Sequence, residues 1–191
     1  MIRVAVIDGQ PAMRAGIRAL LSQAADIKVV AGASGDIHEV GHMLYATTPD
    51  VVIVEDAPGR ADGIELSRLI KSHVPSPHVV LYADGYDAGA VASAMLAGAD
   101  GLVDSRGDER DLVAAIRSAA GGAPTFPELE PQAAIALEQR LAAEDQDILR
   151  MRLATLSLRE IAGLLRIDAG TLRERMRAMI AALRPAAPAP S

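Results

Sequence analysis

The sequence predicts an α/β domain with a parallel sheet, followed by a small all-α domain, and three observations support this prediction. Short apolar runs alternate with helical patterns five times within the first 120 residues. Such βα repetition is typical of a parallel sheet that is covered by helices on both faces. Residues 121–140 are rich in glycine and proline, as in a linker, and residues 141–183 have a helical pattern throughout.

The elements of the α/β domain follow one another in regular order. The predicted strands are residues 3–8, 28–33, 51–55, 78–83 and 101–104. The predicted helices are residues 11–24, 36–46, 63–73, 87–98 and 108–120, several of which have apolar residues at helical spacing. In an open sheet of this type, a functional site lies at the carboxyl ends of the strands. Asp8, Glu55, Ala83 and Asp104 occupy such ends.

These patterns divide the chain into four parts. We expect a domain at 1–120, a linker at 121–140, a helical domain at 141–184 and a disordered Pro/Ala-rich tail at 185–191. Half of the residues are hydrophobic, which suffices for a packed core, and no cysteine is present for a disulfide or a Cys-based zinc site. No stretch approaches the ~20 apolar residues that span a bilayer, so we expect a cytoplasmic protein without membrane contact.

The net charge of −6 is unevenly distributed. Residues 1–140 contain 11 basic and 19 acidic side chains, whereas residues 141–184 contain 8 arginines and 6 acidic side chains. An acidic body with a mildly basic C-terminal part fits a regulator that meets nucleic acid, although the basic excess is small.

Three motifs carry a family resemblance. The first is DVVIVEDAPGRADG at 50–63, in which Glu55 ends an apolar strand; the second is the opening IRVAVIDGQPAMRAGIRALL; the third is AGADGLV followed by DLVAAIRSAAGG. In combination they resemble response regulators of the NarL/FixJ type, over residues 2 to about 183. The resemblance implies a flavodoxin-like (βα)5 receiver domain, a LuxR-type helix-turn-helix and a DNA-binding role in transcription regulation.

The resemblance also implies a phosphorylation pocket, which this chain alters. The family uses two adjacent acids for Mg²⁺, a phosphoacceptor aspartate, a Ser/Thr and a Lys. The corresponding positions here are Asp8 and Gly9, then Glu55 as the phosphoacceptor equivalent, then Ala83 and Ser105. Asp56 follows the acceptor position and should point away from it. Nothing neutralises a phosphoryl group of about −2 charge beside these acids, so we expect neither aspartyl phosphorylation nor an ordinary Mg²⁺ site.

The glutamate at the acceptor position has two interpretations. Its carboxylate reaches one methylene further than that of aspartate, roughly where phosphoryl oxygens would lie, so it can act as a fixed mimic of the active state. Alternatively it is a remnant in a dead pocket, because the switch hydroxyl on which a mimic would act is replaced by Ala83. The loss of bulk and charge at Gly9, Ala83 and Ser105 also leaves room for a small-molecule ligand.

The C-terminal helices align without gaps to the LuxR-type helix-turn-helix. Ser157 and Glu160 form a capping box for the scaffold helix, and Asp168 can cap a recognition helix over about 169–183. Such a helix lies in the major groove of DNA. The candidate DNA-contacting residues are Thr171 in its first turn, Arg173 and Arg177 on one face, and Arg175 towards phosphate.

Pairing and partners stay open at the level of sequence. The family's further pairing helix has no counterpart before Pro185. A homodimer or a heterodimer with another response regulator would then form through other surfaces, on double-stranded DNA. The alternative function is a protein-interaction module that titrates another regulator without binding DNA itself.

A zinc metallopeptidase is a remote alternative. Residues 38–42, HEVGH, fit the H-E-x-x-H pattern, in which His38 and His42 would ligate zinc and Glu39 would act as base. The continuation of the longer pattern is missing, because Tyr45 and Thr48 stand where glycine and histidine are needed. We therefore expect no metal, no cofactor and no catalytic residue.

Overall fold

A computed structural model describes residues 1–57 and 62–184 of the chain. Residues 58–61 of the motif at 50–63 and the predicted disordered tail at 185–191 lie outside the described residues. The five predicted strands are confirmed as one parallel sheet in the order β2-β1-β3-β4-β5. The strands are β1 (Ile2–Ile7), β2 (Ile27–Ala33), β3 (Val51–Glu55), β4 (His78–Ala83) and β5 (Gly101–Asp104).

Helices follow each strand, and most begin at an aspartate that caps the free backbone N–H groups of the first turn. The helices that alternate with the strands are α1 (Pro11–Leu21), α2 (Ile37–Thr47), α3 (Gly63–Lys71), α4 (Ala88–Leu96) and α5 (Glu109–Ala120). The capping aspartates of α2 to α5 are Asp36, Asp62, Asp87 and Asp108. The remaining helices of the described chain are α6 (Pro131–Glu138), α7 (Ala143–Leu153), α8 (Leu158–Leu165) and α9 (Ala169–Leu183).

The core of the sheet is built from aliphatic side chains, as the shortage of aromatic residues requires. Strand β3 is buried along its whole length, because a parallel strand with helices on both faces has no solvated side. On one face, alternate strand residues pack with α1 and α5 into a single cluster. Tyr82 belongs to this cluster and is its one residue with a polar tip.

The chain divides into two compact units whose boundary differs from a simple cut after residue 120. The first, here called the sheet unit, comprises Met1–Gly85 and Ala99–Phe126. The second, here called the helical unit, combines Tyr86–Gly98, which contains α4, with the chain from Pro127 onward. The chain therefore passes between the units three times. Within the described residues, no helix is both long and apolar enough to cross a membrane.

Candidate functional sites: an acidic pocket and a recognition helix

The acidic pocket lies at the carboxyl ends of β1, β3 and β4. Asp8 follows β1, and Glu55 is the last residue of β3. In the register of the sheet Ile7 lies beside Val54, and Glu55 lies beside Tyr82. Asp8 is fully buried, and Glu55 is 8% exposed. Two carboxylates are thus held at neighbouring strand ends, with a phenol on the strand next to Glu55.

The carboxylate of Asp8 is bonded within the protein. The Tyr82 hydroxyl donates a hydrogen bond to Oδ2, and the Gln10 backbone N–H donates to Oδ1 over 2.6 Å. Each oxygen therefore has a donor. A metal ion at Asp8 would therefore have to share these oxygens with the Tyr82 hydroxyl and the Gln10 N–H.

Tyr82 is the pocket residue that the sequence did not reveal. Its ring is 5% exposed, and burial, together with the hydrogen bond to the Asp8 carboxylate, raises the pKa of the phenol above its usual value. The hydroxyl therefore stays protonated and acts as a donor. Val80 and Tyr82 lie on the same face of β4, because side chains alternate along a strand. The position of Tyr82, one residue before the end of β4, was the one sign in the sequence that its side chain could reach the pocket.

Glu55 has a partner as well. Its Oε2 accepts a hydrogen bond of 3.3 Å from the backbone N–H of Gly9. A Cβ atom at position 9 would lie 3.9 Å from that oxygen, which is ordinary contact, so glycine is not required there for space. The longer glutamate side chain thus reaches the loop after β1.

Asp56 is the first residue after β3 and remains bonded to β4 through its backbone. Its backbone N–H donates to the Tyr82 carbonyl oxygen over 2.9 Å. The first residue of α3, Gly63, packs against this backbone so closely that a Cβ would lie 2.6 Å from the Glu55 carbonyl oxygen. Gly63 is therefore needed for the return of the chain past Glu55 and Asp56.

The other two pocket positions are joined through the backbone. Ala83, which is buried, accepts a hydrogen bond of 2.8 Å at its carbonyl oxygen from the N–H of exposed Ser105. The adjacent cation, Arg106, is engaged by Asp84 at 2.7 Å and by Asp104 at 3.4 Å. The backbone N–H and the guanidinium of Arg106 together lower the pKa of the Asp104 carboxyl. The positive charge beside Ser105 is thus already paired.

The HEVGH segment lies in α2, and its parts do not form a zinc centre. Glu39 accepts hydrogen bonds from the Ser34 N–H and hydroxyl, at 2.9 and 2.5 Å, and these bonds lower the pKa of the Glu39 carboxyl. Within residues 1–57 and 62–184, no three His, Cys, Asp or Glu side chains are grouped to hold a metal ion. The peptidase interpretation of His38 and His42 gains no support from this geometry.

A cavity of about 410 Å³ lies between α1 and α5 beside the pocket. Its wall is mainly apolar, and it includes Tyr82 and Ser105. Gly9 and Ala83 do not line it. Of the three positions predicted to leave room for a ligand, Ser105 alone contributes to this space.

The second site is built around α9, which begins and ends where the sequence predicted. Asp168 caps it by accepting hydrogen bonds from the N–H groups of Gly170 and Thr171, at 2.7 and 3.0 Å. The Thr171 hydroxyl donates to the same carboxylate and, with those N–H groups, lowers its pKa. The predicted capping box of Ser157 and Glu160 is present at the start of α8. Three residues separate α8 from α9.

The three arginines of α9 have different environments. Arg173 and Arg177 are exposed, and Arg173 has no hydrogen bond or ion pair to any other described residue. Arg175 instead pairs with Asp145 of α7, at 2.7 Å, and donates to the Glu144 carbonyl oxygen. Its guanidinium thus ties α9 to the first turn of α7.

A five-stranded parallel sheet with acids at its carboxyl edge, followed by further helices, is the architecture of a receiver-type protein. The chain belongs to the response regulator receiver domain family, whose pattern matches residues 4–117. The family resemblance read from the sequence motifs is thereby confirmed.

Individual relatives agree with this assignment. An uncharacterised transcriptional regulatory protein of Bacillus subtilis, YxjL, is 33% identical over 65% of this chain and 57% of its own length. The chain thus matches somewhat over half of that relative. The DNA-binding transcriptional activator DevR/DosR of Mycobacterium tuberculosis is 30% identical over 77% of this chain and 67% of its own length.

The fold of the whole chain also has a solved counterpart. RcsB of Salmonella enterica serovar Typhimurium, bound to promoter rprA, superposes with a TM-score of 0.61 and 23% identity. The match covers 96% of this chain and 92% of RcsB. At that identity the likeness shows the shared fold, a receiver sheet followed by further helices.

Proposed function

We propose that this chain is a DNA-binding transcriptional regulator of the response-regulator type whose acidic pocket works without phosphorylation. The observation that carries the DNA-binding part is the capped helix α9 with exposed Arg173 and Arg177. The curated relative with 30% identity, DevR/DosR, bears the name of a DNA-binding activator, which supports the same role. Such a regulator acts in the cytoplasm, where the chromosome lies.

In this proposal the residues of α9 have different roles in DNA binding. Arg173 and Arg177, four residues apart, enter the major groove, where arginine can bond two acceptors of guanine. Thr171 lies two residues before Arg173, in the first turn of α9, and reaches a neighbouring phosphate or base. Arg175 is assigned a positioning role, because its ion pair with Asp145 sets the angle of α9 against α7.

The phosphorylation-independent part rests on charge and on bonding. A phosphoryl group of about −2 charge at residue 55 would stand beside buried Asp8. The neighbouring cation, Arg106, is shared between Asp84 and Asp104. The Asp8 oxygens already accept hydrogen bonds from Tyr82 and Gln10, and the second acid of the family's Mg²⁺ pair is replaced by Gly9. The pocket therefore suits a fixed state better than a switch.

Control would then come from abundance, from a small-molecule ligand or from pairing with a second regulator. Glu55 contributes to either interpretation of the pocket: as a mimic it holds the loop at Gly9, and as a remnant it merely fills that space. A homodimer or a heterodimer would present two recognition helices, since a single half-site gives weak affinity.

Retention of genomic DNA tests the DNA-binding part. Purified, unmodified protein is mixed with fragmented genomic DNA, and the retained fragments are sequenced. We expect a few enriched sites, lost in an Arg173→Glu, Arg177→Glu variant and kept in an Arg18→Glu, Arg110→Glu variant with the same change of net charge. Enrichment unaffected by reversal of the α9 arginines would refute their role, and no enrichment by any form would favour the titrating module.

Intact-mass analysis tests the phosphorylation part. After incubation with acetyl phosphate and Mg²⁺, we expect no mass increase of about 80 Da, the size of a phosphoryl group. A Glu55→Asp variant is the matched control, since it restores the acceptor without restoring the missing lysine or hydroxyl. An adduct on the unmodified protein would refute the proposal.

A further inference from the structure

Helix α4 is buried like a core helix of the helical unit. Its sequence is AGAVASAML, and six consecutive residues of it, Val91–Leu96, are buried together with Gly89. Within the helical unit it packs against α9, α7 and α6. A short helix with no charged residue gains its stability from such burial rather than from its own propensity.

At Gly89, helices α4 and α9 approach each other too closely to accommodate a side chain. A Cβ atom added to Gly89 would lie 2.6 Å from the carbonyl oxygen of Leu183, which is a backbone atom that cannot rotate away. Leu183 itself is fully buried at the end of α9. Glycine at position 89 therefore permits backbone-to-backbone contact between the two helices.

A buried arginine joins the other end of α4 to α7. Arg152 is 8% exposed, and its Nε and Nη2 atoms donate to the Met95 carbonyl oxygen over 3.0 and 2.6 Å. Its Nη1 atom donates to the Leu156 carbonyl oxygen over 2.5 Å. A cation at the carboxyl end of a helix is favoured by the helix dipole, and here it adds to the hydrogen bond of 3.1 Å that the Met95 carbonyl oxygen also accepts from the Gly98 N–H.

The face of α9 that packs inward differs from the face that carries its arginines. Its buried residues are Leu172, Met176, Met179, Ile180 and Leu183. Its exposed residues include Gly170, Arg173, Glu174, Arg177 and Ala181, which share a second stripe at helical spacing. Packing against α4 thus leaves the arginine stripe open to solvent.

We infer that α4 is a permanent helix of the DNA-binding unit, and that this unit reads DNA with α4 in place. The unit is then assembled from two chain segments, because the residues before and after α4 run in β4 and β5 of the sheet unit. The second half of the inference rests on the proposed function, whereas the first half stands without it.

Hydrogen exchange on the full chain tests the first half. Gly89→Ala forces α4 and α9 apart, and we expect amide exchange to rise about 10-fold in α4, α7 and α9 alike, with the β1 and β3 amides unchanged. The matched control is Gly163→Ala in α8, where a Cβ meets nothing within 4 Å. It should slow exchange or leave it unchanged, since alanine favours a helix. Faster exchange confined to α4 would overturn the inference.

A distance measurement on the unaltered core tests the second half. The chain has no cysteine, so spin labels can be placed at Tyr86→Cys and Ala182→Cys, two exposed positions on either side of the α4–α9 contact. We expect the same distance distribution by pulsed electron resonance with and without fragmented genomic DNA. A longer distance on DNA would overturn the inference. Failure of the labelled protein to bind DNA counts against the proposed function, and the exchange result then decides the α4 assignment alone.

Discussion

Replacing Tyr82 by phenylalanine removes one hydroxyl from the acidic pocket and tests how the pocket is held together. The ring is 5% exposed and belongs to the core cluster of the sheet, so its apolar contacts are retained. The loss is the hydrogen bond to the Asp8 carboxylate, which itself is fully buried. A hydrogen bond to a charged group contributes about 1.5–3 kcal/mol, so we expect the free energy of unfolding to fall by about 2 kcal/mol.

Urea denaturation followed by circular dichroism measures this loss. With a denaturant slope of about 2 kcal/mol/M, the midpoint should fall by about 1 M. Tyr45→Phe is the matched control, because it removes the same atom from a side chain that is 82% exposed, and it should change stability by less than about 0.5 kcal/mol. Equal midpoints for the two variants would refute the proposed hydrogen bond as a support of the pocket.

Three further predictions follow from particular contacts. Because burial and the Asp8 carboxylate raise the pKa of Tyr82, Tyr82→Phe should leave the absorbance change of the folded protein at 295 nm near pH 10 unaltered and reduce that of the unfolded protein. Above about pH 10 the folded protein then binds more protons than the unfolded protein, so the free energy of unfolding falls by up to about 1.4 kcal/mol per pH unit. Tyr82→Phe should remove this dependence on pH. Arg175→Met should lower thermal stability because Asp145 loses its partner. Arg173→Ala should leave stability unchanged and weaken DNA retention, and the reverse pattern would contradict the roles assigned to these two arginines. Ser93→Ala in α4 should raise the free energy of unfolding in urea by about 1 kcal/mol, because the serine Oγ is buried and has no hydrogen-bond partner among the described residues; destabilisation would indicate a bonded hydroxyl.

The sequence by itself determined the secondary-structure elements and, for several of them, the residues at which they begin or end. Five apolar runs separated by helical patterns predicted the five strands, because the period of a pattern reports local geometry directly. Capping residues did the same for the helices: Ser157 and Asp168 predicted where α8 and α9 begin, since a side chain that satisfies the first turn acts over two or three residues. The acids at strand ends were likewise predicted from chain order alone.

Long-range pairings were decided by the tertiary structure. Tyr82 and Asp8 are 74 residues apart, and neither residue type at its position indicates the other. Arg175 shares its charge and its helix with Arg173, yet the approach of α7 engages one and leaves the other exposed. A pattern of residues reports which face is polar, but not which partner that face meets.

The position of α4 shows most clearly that a sequence pattern does not reveal which partner a helix packs against. The sequence predicts a helix over 87–98 and assigns it by chain order to the domain at 1–120. A helix that is apolar all round, however, carries no stripe that selects a partner. The close crossing at Gly89 and the buried guanidinium of Arg152 join α4 to α9 and α7, and the sequence does not show these contacts because close packing depends on surfaces that no single segment contains.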